Sequence, residues 1–463
     1  MAVTPDALTT ADLTAVLAPS GERSHWIDDW RPEDPSFWEM TGRRVARRNL
    51  VFSILSEHIG FSVWSLWSVF VLFLGPAYGL DPSKKFLLTT VPTAVGAAMR
   101  IPYTFAVAKF GGRNWTIVSA ALLIVPCVAA AALLKPGVSF STLLILAGLA
   151  GVGGGNFSSS MANIDSFYPQ RLKGWALGLN AGGGNIGVAA VQLVGLAVLA
   201  TAGKAHPRVL IGVYLPLVVL STLLAYVFMD NLTHAVNEKR AMRDVCRDAH
   251  TWVISFLYIG TFGSFIGFGF AFGQVLQVQF KDTFSTPIKA ASLTFLGPLL
   301  GSLIRPIGGK LADRFGGARV TTTVFALMAA GAGLVLYASK QHSLALFITG
   351  FVCLFVLSGA GNGSTYKMIP AIFRAKATRR VADGADGADE QRRALRLSRA
   401  LIGIAGAIGA FGGVLVNLAL RQSFLTNKNG DAAYAAFVAF YVICLLVTWT
   451  VYVRRSSNRL AAV

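Results

Sequence analysis

The sequence predicts an all-α membrane protein: twelve transmembrane helices arranged as two pseudo-symmetric six-helix bundles. Three observations carry this. First, 54% of the 463 residues are hydrophobic and only 14% are charged, whereas roughly a quarter are charged in a soluble domain; mean hydropathy is +0.58. Second, the apolar residues fall into twelve runs, each near the ~20 residues that cross a bilayer core. Third, a motif in the first half recurs at a fixed offset in the second.

Taken in order, residues 1–49 are polar, with several acids, and read as an N-terminal extension on the cytoplasmic side rather than a cleaved leader. The apolar runs follow at about 50–75, 86–108, 115–134, 141–164, 172–202 and 208–229. A basic connection at 230–250 joins the halves. The second set lies at about 251–279, 289–309, 320–338, 344–373, 400–420 and 432–453. The stretch VADGADGADEQRRALR, 381–396, reads as a flexible insertion ending in a basic helix start, within a cytoplasmic loop at about 375–398. Residues 454–463 form a tail.

Orientation follows from Lys and Arg, which concentrate on the cytoplasmic flanks. Arg43, Arg44, Arg47 and Arg48 precede the first run. Lys239, Arg240, Arg243 and Arg247 separate the sixth from the seventh, eight basic residues lie from Arg374 to Arg399, and Arg454, Arg455 and Arg459 close the chain. Alternate connections hold scattered single or paired lysines and arginines. Both termini inside agrees with an even number of spans. The formal charge of +19 is explained by these flanks, and a nucleic-acid partner is not expected. Cys127, Cys246, Cys353 and Cys444 show no metal or redox spacing, and the six histidines form no ligand set. No metal, cofactor or enzymatic nucleophile–base arrangement is expected.

The repeat is the most informative feature. GAAMRIPYTFAVAKFGG begins at Gly96 and GSLIRPIGGKLADRFGG at Gly301; the offset of 205 residues holds from Arg100 to Arg305, from Gly111 to Gly316 and from Thr116 to Thr321. A pseudo-twofold relation places equivalent side chains on opposite walls of a central cavity. An arginine at mid-span costs about 2.5–3.5 kcal/mol on insertion scales, and no acid lies within a helical turn of Arg100 to offset it. Snorkelling or a structural pair would explain one such residue. Two in matching register point to an anion held between them.

Other intramembrane groups admit two readings each. GLNAGGGNIG (178–187) and GIAGAIGAFGG (403–413) offer small-xxx-small faces at Gly178 and Gly182, Gly183 and Gly187, and Gly409 and Gly413, suited to close helix packing or sliding; with no GK[ST] they are not phosphate loops. Asn185 can bond a bound oxygen or a neighbouring helix. Tyr258 and Phe262 share a face and can line a site or simply pack. Glu57 is a candidate proton carrier, or a partner for Lys367. Asp313, beside Arg314 and Arg319, can latch two helices or be solvated.

These features resemble the major facilitator superfamily, and within it the bacterial nitrate/nitrite porter family. DWRPEDPSFW (29–38), GFSVW (60–64), RIPYTF (100–105), GGNFSSSMANI (154–164), GLNAGGGNIG (178–187), TFGSFIGF (261–268) and GAIGAFGG (406–413) carry the likeness, which runs from about Asp29 to Val453. The resemblance implies that Arg100 and Arg305 grip the anion, that Phe61, Phe157, Tyr258 and Phe262 line the site, and that Asn185 contributes an amide. It departs at Ala181, where the family has glycine, and at Glu57, His58 and Lys367, where some relatives are apolar or neutral. The expected activity is nitrate/nitrite antiport by alternating access in the inner membrane, serving nitrate assimilation. The alternatives are nitrate–proton symport through Glu57 and an anion sensor without flux. A monomer is expected.

Overall fold

The computed structural model describes residues 25–233 and 239–454. Residues 1–24, 234–238 and 455–463 lie outside it, and with them Arg455, Arg459 and much of the extension, linker and tail; so do the side chains of Lys239 and Arg240.

Twelve long helices emerge where the apolar runs predict them. The first half contains α1 (Pro35–Phe73), α2 (Pro82–Phe110), α3 (Gly112–Leu133), α4 (Phe140–Phe167), α5 (Gln170–Thr201) and α6 (Arg208–Phe228). The second contains α7 (Ala249–Gln279), α8 (Pro287–Phe315), α9 (Gly317–Lys340), α10 (Leu344–Ala382), α11 (Gly387–Asn427) and α12 (Asp431–Val453). Among the described residues eleven are long and apolar enough to cross a membrane; the other is α2, whose apolar run holds Arg100 and is flanked within the helix by Lys84, Lys85 and Lys109. The starts are set by local chemistry: Asp34, Asp81, Ser139, Asp248 and Asp386 each cap the first turn of the helix that follows, satisfying amides that have no intrahelical acceptor.

The repeat predicted from the sequence holds in backbone detail. Gly111 and Gly316 end α2 and α8 with φ of 88° and 90°, a region open to glycine at little cost. Each bundle has its own apolar core, built around Trp67, Phe70, Leu123 and Leu146 in the first half and Phe268, Phe351, Phe355 and Tyr434 in the second.

The segment read as a flexible insertion is mostly helix. α10 continues to Ala382 and α11 starts at Gly387, leaving a short turn in which Gly384 has φ of 97°. Alanines and arginines are good helix formers, and Glu390 holds Arg380 across the turn and Arg393 on its own helix. At the same end of the molecule, hereafter the linker side, β1 (Trp26–Ile27) pairs in parallel with β2 (Asn231–Leu232). Asp230 accepts from Arg48 at 2.6 Å and from Asn49 at 2.9 Å, Glu33 accepts from the Gln170 amide, and Trp30 packs edge-on against Phe167. The extension is thereby strapped across the inner ends of α1, α4 and α5.

The halves meet unequally at their two ends. On the side opposite the linker they are sealed. Gln192 donates to the Gly269 carbonyl at 2.8 Å, Thr89 to Asn417 at 2.9 Å and Gln274 to the Pro82 carbonyl at 2.6 Å, while Phe86 stacks on Phe424. On the linker side a cleft of about 650 Å³ opens between them, bounded by α2, α4 and α5 on one wall and α11 on the other, and reaches Phe157.

Candidate functional site

Phe157, which lines the cleft, also borders both repeated arginines. Arg100 is fully buried and Arg305 is 5% exposed, so neither faces lipid. The Arg100 guanidinium carbon lies 4.6 Å from the Phe157 ring centroid and 4.8 Å from that of Phe262. That of Arg305 lies 5.9 and 6.0 Å from the same two rings. One cation from each half therefore shares one pair of aromatic walls. Contacts of this kind contribute about 0.5–2 kcal/mol each, short of what a buried guanidinium loses in hydration.

Local backbone irregularity positions the rest. The run Gly151–Gly155 within α4 winds as a 3₁₀ turn. Its glycines admit the Gly60 carbonyl, Val95, Trp64 and the Tyr103 ring at points where a Cβ would collide. The Gly154 carbonyl in this turn accepts from Arg100 Nε at 3.2 Å, and the Gly406 carbonyl of α11 accepts from Nη1 at 2.8 Å. A π turn at Ile259–Gly263 in α7 follows Tyr258, whose ring stacks on Phe262 at 5.2 Å. The Tyr258 hydroxyl accepts from Arg305 Nη2 at 3.1 Å. After these bonds, Arg100 Nη2 and Arg305 Nη1 have no acceptor among the described residues. Neither arginine is ion-paired among the described residues. Buried donors without partners cost about 1–3 kcal/mol, and more when charged. The arrangement can supply one cationic N–H from each half beside a shared pair of aromatic rings.

Phe61, Phe157, Tyr258 and Phe262 are thus brought together with Arg100 and Arg305; Phe61 lies 6.2 Å from Phe157 and 5.9 Å from the Arg100 carbon. Asn185 is buried, and both its amide atoms lack a partner, so it does not bond a neighbouring helix. Three residues that sequence reasoning does not single out belong here. Tyr366 packs 4.9 Å from Tyr258 and 5.5 Å from the Arg305 carbon. Ser160 and Asn180 both donate to Glu57 Oε2, Asn180 at 2.7 Å. GSTYKM (363–368), GLNAGG (178–183) and GGNFSSSMANI (154–164) hold the hints, and none says which way its residues face.

Three readings are corrected. Lys367 does not pair with Glu57: it reaches Asp313 at 2.8 Å. Asp313 is thus taken by Lys367 rather than by Arg314 or Arg319; Arg314, the next residue on the helix, diverges by ~100° and lies over Phe315. The link joins α8 to α10, two helices of one half. Gly178 and Gly182 are not a packing face, because a Cβ at either would meet nothing. The tight positions are Gly183 against Ile54, Gly187 against the His58 carbonyl, Gly409 against Tyr258 and Gly413 against Ile266 and Thr93. At the last two, α11 packs closely on its neighbours.

Two six-helix bundles, joined by a linker, sealed together at one end and parted by a cleft at the other, define a membrane transporter. Residues 58–410 match the Major Facilitator Superfamily, and the chain belongs to that family. Among curated proteins it is 37% identical over 454 residues to nitrate/nitrite transporter NarU of Escherichia coli K12, covering 94% of this chain and 97% of that one. It is 36% identical over 373 residues to the probable nitrate/nitrite antiporter NarK2 of Thermus thermophilus, covering 75% and 83%. Among solved structures, the D-xylose-proton symporter aligns with a TM-score of 0.63 at 15% identity, covering 88% of this chain and 97% of that one, a likeness of fold.

Proposed function

We propose that the protein carries nitrate and nitrite across a bacterial cytoplasmic membrane, exchanging one for the other by alternating access, as a monomer with both termini and the open cleft on the cytoplasmic side. The observation that carries this reading is the pair of unpartnered cationic N–H groups, Arg100 Nη2 and Arg305 Nη1, over the shared Phe157 and Phe262 rings. The names of the two relatives support the choice of anion.

Nitrate is planar, carries one charge spread over three oxygens and is weakly hydrated. A guanidinium donates to such an edge in its own plane, and the aromatic faces accept a flat ion with little loss of hydration. Asn185, buried with both amide atoms unpartnered, is a candidate for a third donor. Nitrite has the same charge and one oxygen fewer, so the same forks hold it. The anion bridges cations from opposite halves, and its arrival therefore favours their approach. An empty chamber presents two like charges in a low-dielectric space, which opposes closure. The return crossing is made more readily with the second anion aboard.

The test is counterflow. Vesicles containing the purified protein and loaded with nitrite should take up labelled nitrate and lose nitrite in step. Arg100→Lys and Arg305→Lys keep the charge and lose the fork, and each should reduce transport efficiency by about ten- to a hundredfold, the loss of one charge-assisted bond. Undiminished exchange in both variants would refute the paired-fork site. Binding of nitrate without flux would favour the sensor.

A further inference from the structure

The cleft carries positive charge that the paired arginines do not account for. Its charged lining is Arg392, Arg393, Arg396 and Arg399 of α11 with Asp389 and Asp165, which leaves two net positive charges. Arg392, Arg396, Arg399 and Gly403 follow one another at intervals of four, three and four residues, one face of a helix. Three residues further on is Gly406, whose carbonyl holds Arg100. At 1.5 Å per residue, Arg399 stands about 10 Å from Gly406 along the axis, and Arg392 about 21 Å. The stripe therefore descends from the mouth of the cleft towards the arginine pair.

The outer three arginines are taken by acids. Arg392 bonds Asp389, Arg393 bonds Glu390 and Arg396 meets Asp244 of the linker. Arg399, the innermost, differs. Asp165 takes its Nε at 2.6 Å and is shared with Lys173 at 3.1 Å, so one carboxylate faces two cations. Nη1 and Nη2 of Arg399 have no partner among the described residues. A guanidinium held at Nε still offers the edge formed by its two terminal nitrogens. Ser158 of α4 is an independent observation. It is 5% exposed and lines the cleft, and its hydroxyl has no partner among the described residues. Ser159 and Ser160 beside it bond carbonyls of the preceding turn. Ser158 is seven residues from Asp165 on α4, as Gly406 is from Arg399 on α11, and a Cβ at Gly406 would lie 3.5 Å from the Phe157 ring. The orphan hydroxyl is therefore inward of Arg399. Between the two levels, a Cβ at Gly403 would lie 3.4 Å from Thr104 of α2. The cleft narrows there, and a guest at Arg399 sits outside the arginine pair.

We infer that the terminal edge of Arg399, with Ser158 on its inward side, is a second anion-binding site: a station in the cleft for a small monovalent oxyanion. The inference rests on reading Arg100 and Arg305 as the anion site and adds a step before it. Asp165 is the positioning residue, holding Nε so that Nη1 and Nη2 are left for the guest. The guest offsets the cation that Asp165, shared with Lys173, leaves uncompensated. The Ser158 hydroxyl can donate to the anion as it passes the constriction at Gly403. Two anions about 10 Å apart along the stripe repel each other in a space of reduced dielectric. An anion at the station therefore promotes departure of the one between Arg100 and Arg305, a knock-on between adjacent sites. The station is reached from the linker side, so it acts on anions of that compartment and not on those across the bilayer.

The experiment counts sites. Equilibrium dialysis of labelled nitrate against the full chain in lipid nanodiscs should show two anions per chain, the second held about tenfold more weakly. Arg399→Gln should remove the weaker site and leave the tighter one. Asp165→Asn breaks the link across the cleft but keeps the guanidinium, and should retain both. A monodisperse gel-filtration profile confirms that each variant is folded. In exchange assays, Arg399→Gln should raise the half-saturating nitrate concentration on the linker side by about tenfold and leave that on the opposite side unchanged. One anion per chain in the unmodified protein overturns the proposal and leaves the site between Arg100 and Arg305 standing. Two anions persisting in Arg399→Gln overturn it, as does loss of the weaker site in Asp165→Asn as well, which would assign the effect to the link across the cleft. An equal rise on both sides in the exchange assay does the same. Absence of any nitrate binding to the unmodified protein sinks both readings.

Discussion

At the scale of residues, the chamber is organised by what its arginines lack. Arg100 spends Nε and Nη1 on carbonyls freed by two glycine-rich segments, Arg305 spends Nη2 on Tyr258, and each keeps one nitrogen for a guest. Tyr258→Phe removes the only protein acceptor of Arg305 among the described residues while keeping the ring on Phe262. It should raise the apparent KM for nitrate by about tenfold with a smaller change in maximal rate, because the freed guanidinium loses its orientation rather than its charge; initial-rate counterflow measures this. Arg100 and Arg305 are legible in the sequence because a charge inside an apolar run stands out and the repeat doubles it. Asn180 and Asn185 are not distinguishable there. They lie about 140° apart on one helix at ~100° per residue, and only the rotation of α5 against α1 decides that Asn180 meets Glu57. Ser160 and Tyr366 are likewise hidden, since serine and tyrosine are unremarkable in a transmembrane helix until a partner faces them.

At the scale of helices, glycine separates into positions that touch and positions that do not. A Cβ at Gly187 would meet the His58 carbonyl and one at Gly409 the Tyr258 ring, so Gly187→Ala and Gly409→Ala should each destabilise the fold by about 1–3 kcal/mol. Gly178→Ala and Gly182→Ala face space and should be neutral, or stabilising by up to about 1 kcal/mol through helix propensity. Thermal unfolding in detergent distinguishes the two pairs. Helix existence was the easiest feature to read, because a twenty-residue apolar run admits few alternatives in lipid. The ends were harder. α1 begins at Pro35 within residues expected to be a polar extension, and α11 begins at Gly387 within the expected flexible insertion. Hydropathy reports where lipid begins, not where hydrogen bonding stops, and polar helical turns beyond the membrane are invisible to it.

At the scale of the whole molecule, the halves are tied on the open side by Asp165 of α4, which accepts from Arg399 of α11 at 2.6 Å and from Lys173 of α5 at 3.1 Å. Arg399 is the member contributed by the second half. Asp165→Asn removes the charge that draws it across the cleft. Spin labels at Ser166 and Leu395, on opposite walls of the cleft, should then report a longer mean separation, and an unchanged distance distribution would show that the pair does not hold the cleft. The seal on the far side is of another kind: amides, a hydroxyl and stacked rings, with two backbone carbonyls as acceptors. One closure is ionic and the other is not. Counter-ions shorten the reach of the first, with a Debye length of about 10 Å at 0.1 M, and leave the second nearly untouched. The protein's preference between its two faces therefore depends on the ionic strength of one compartment alone, so concentrating electrolyte on the linker side should move that balance and the same addition across the bilayer should not.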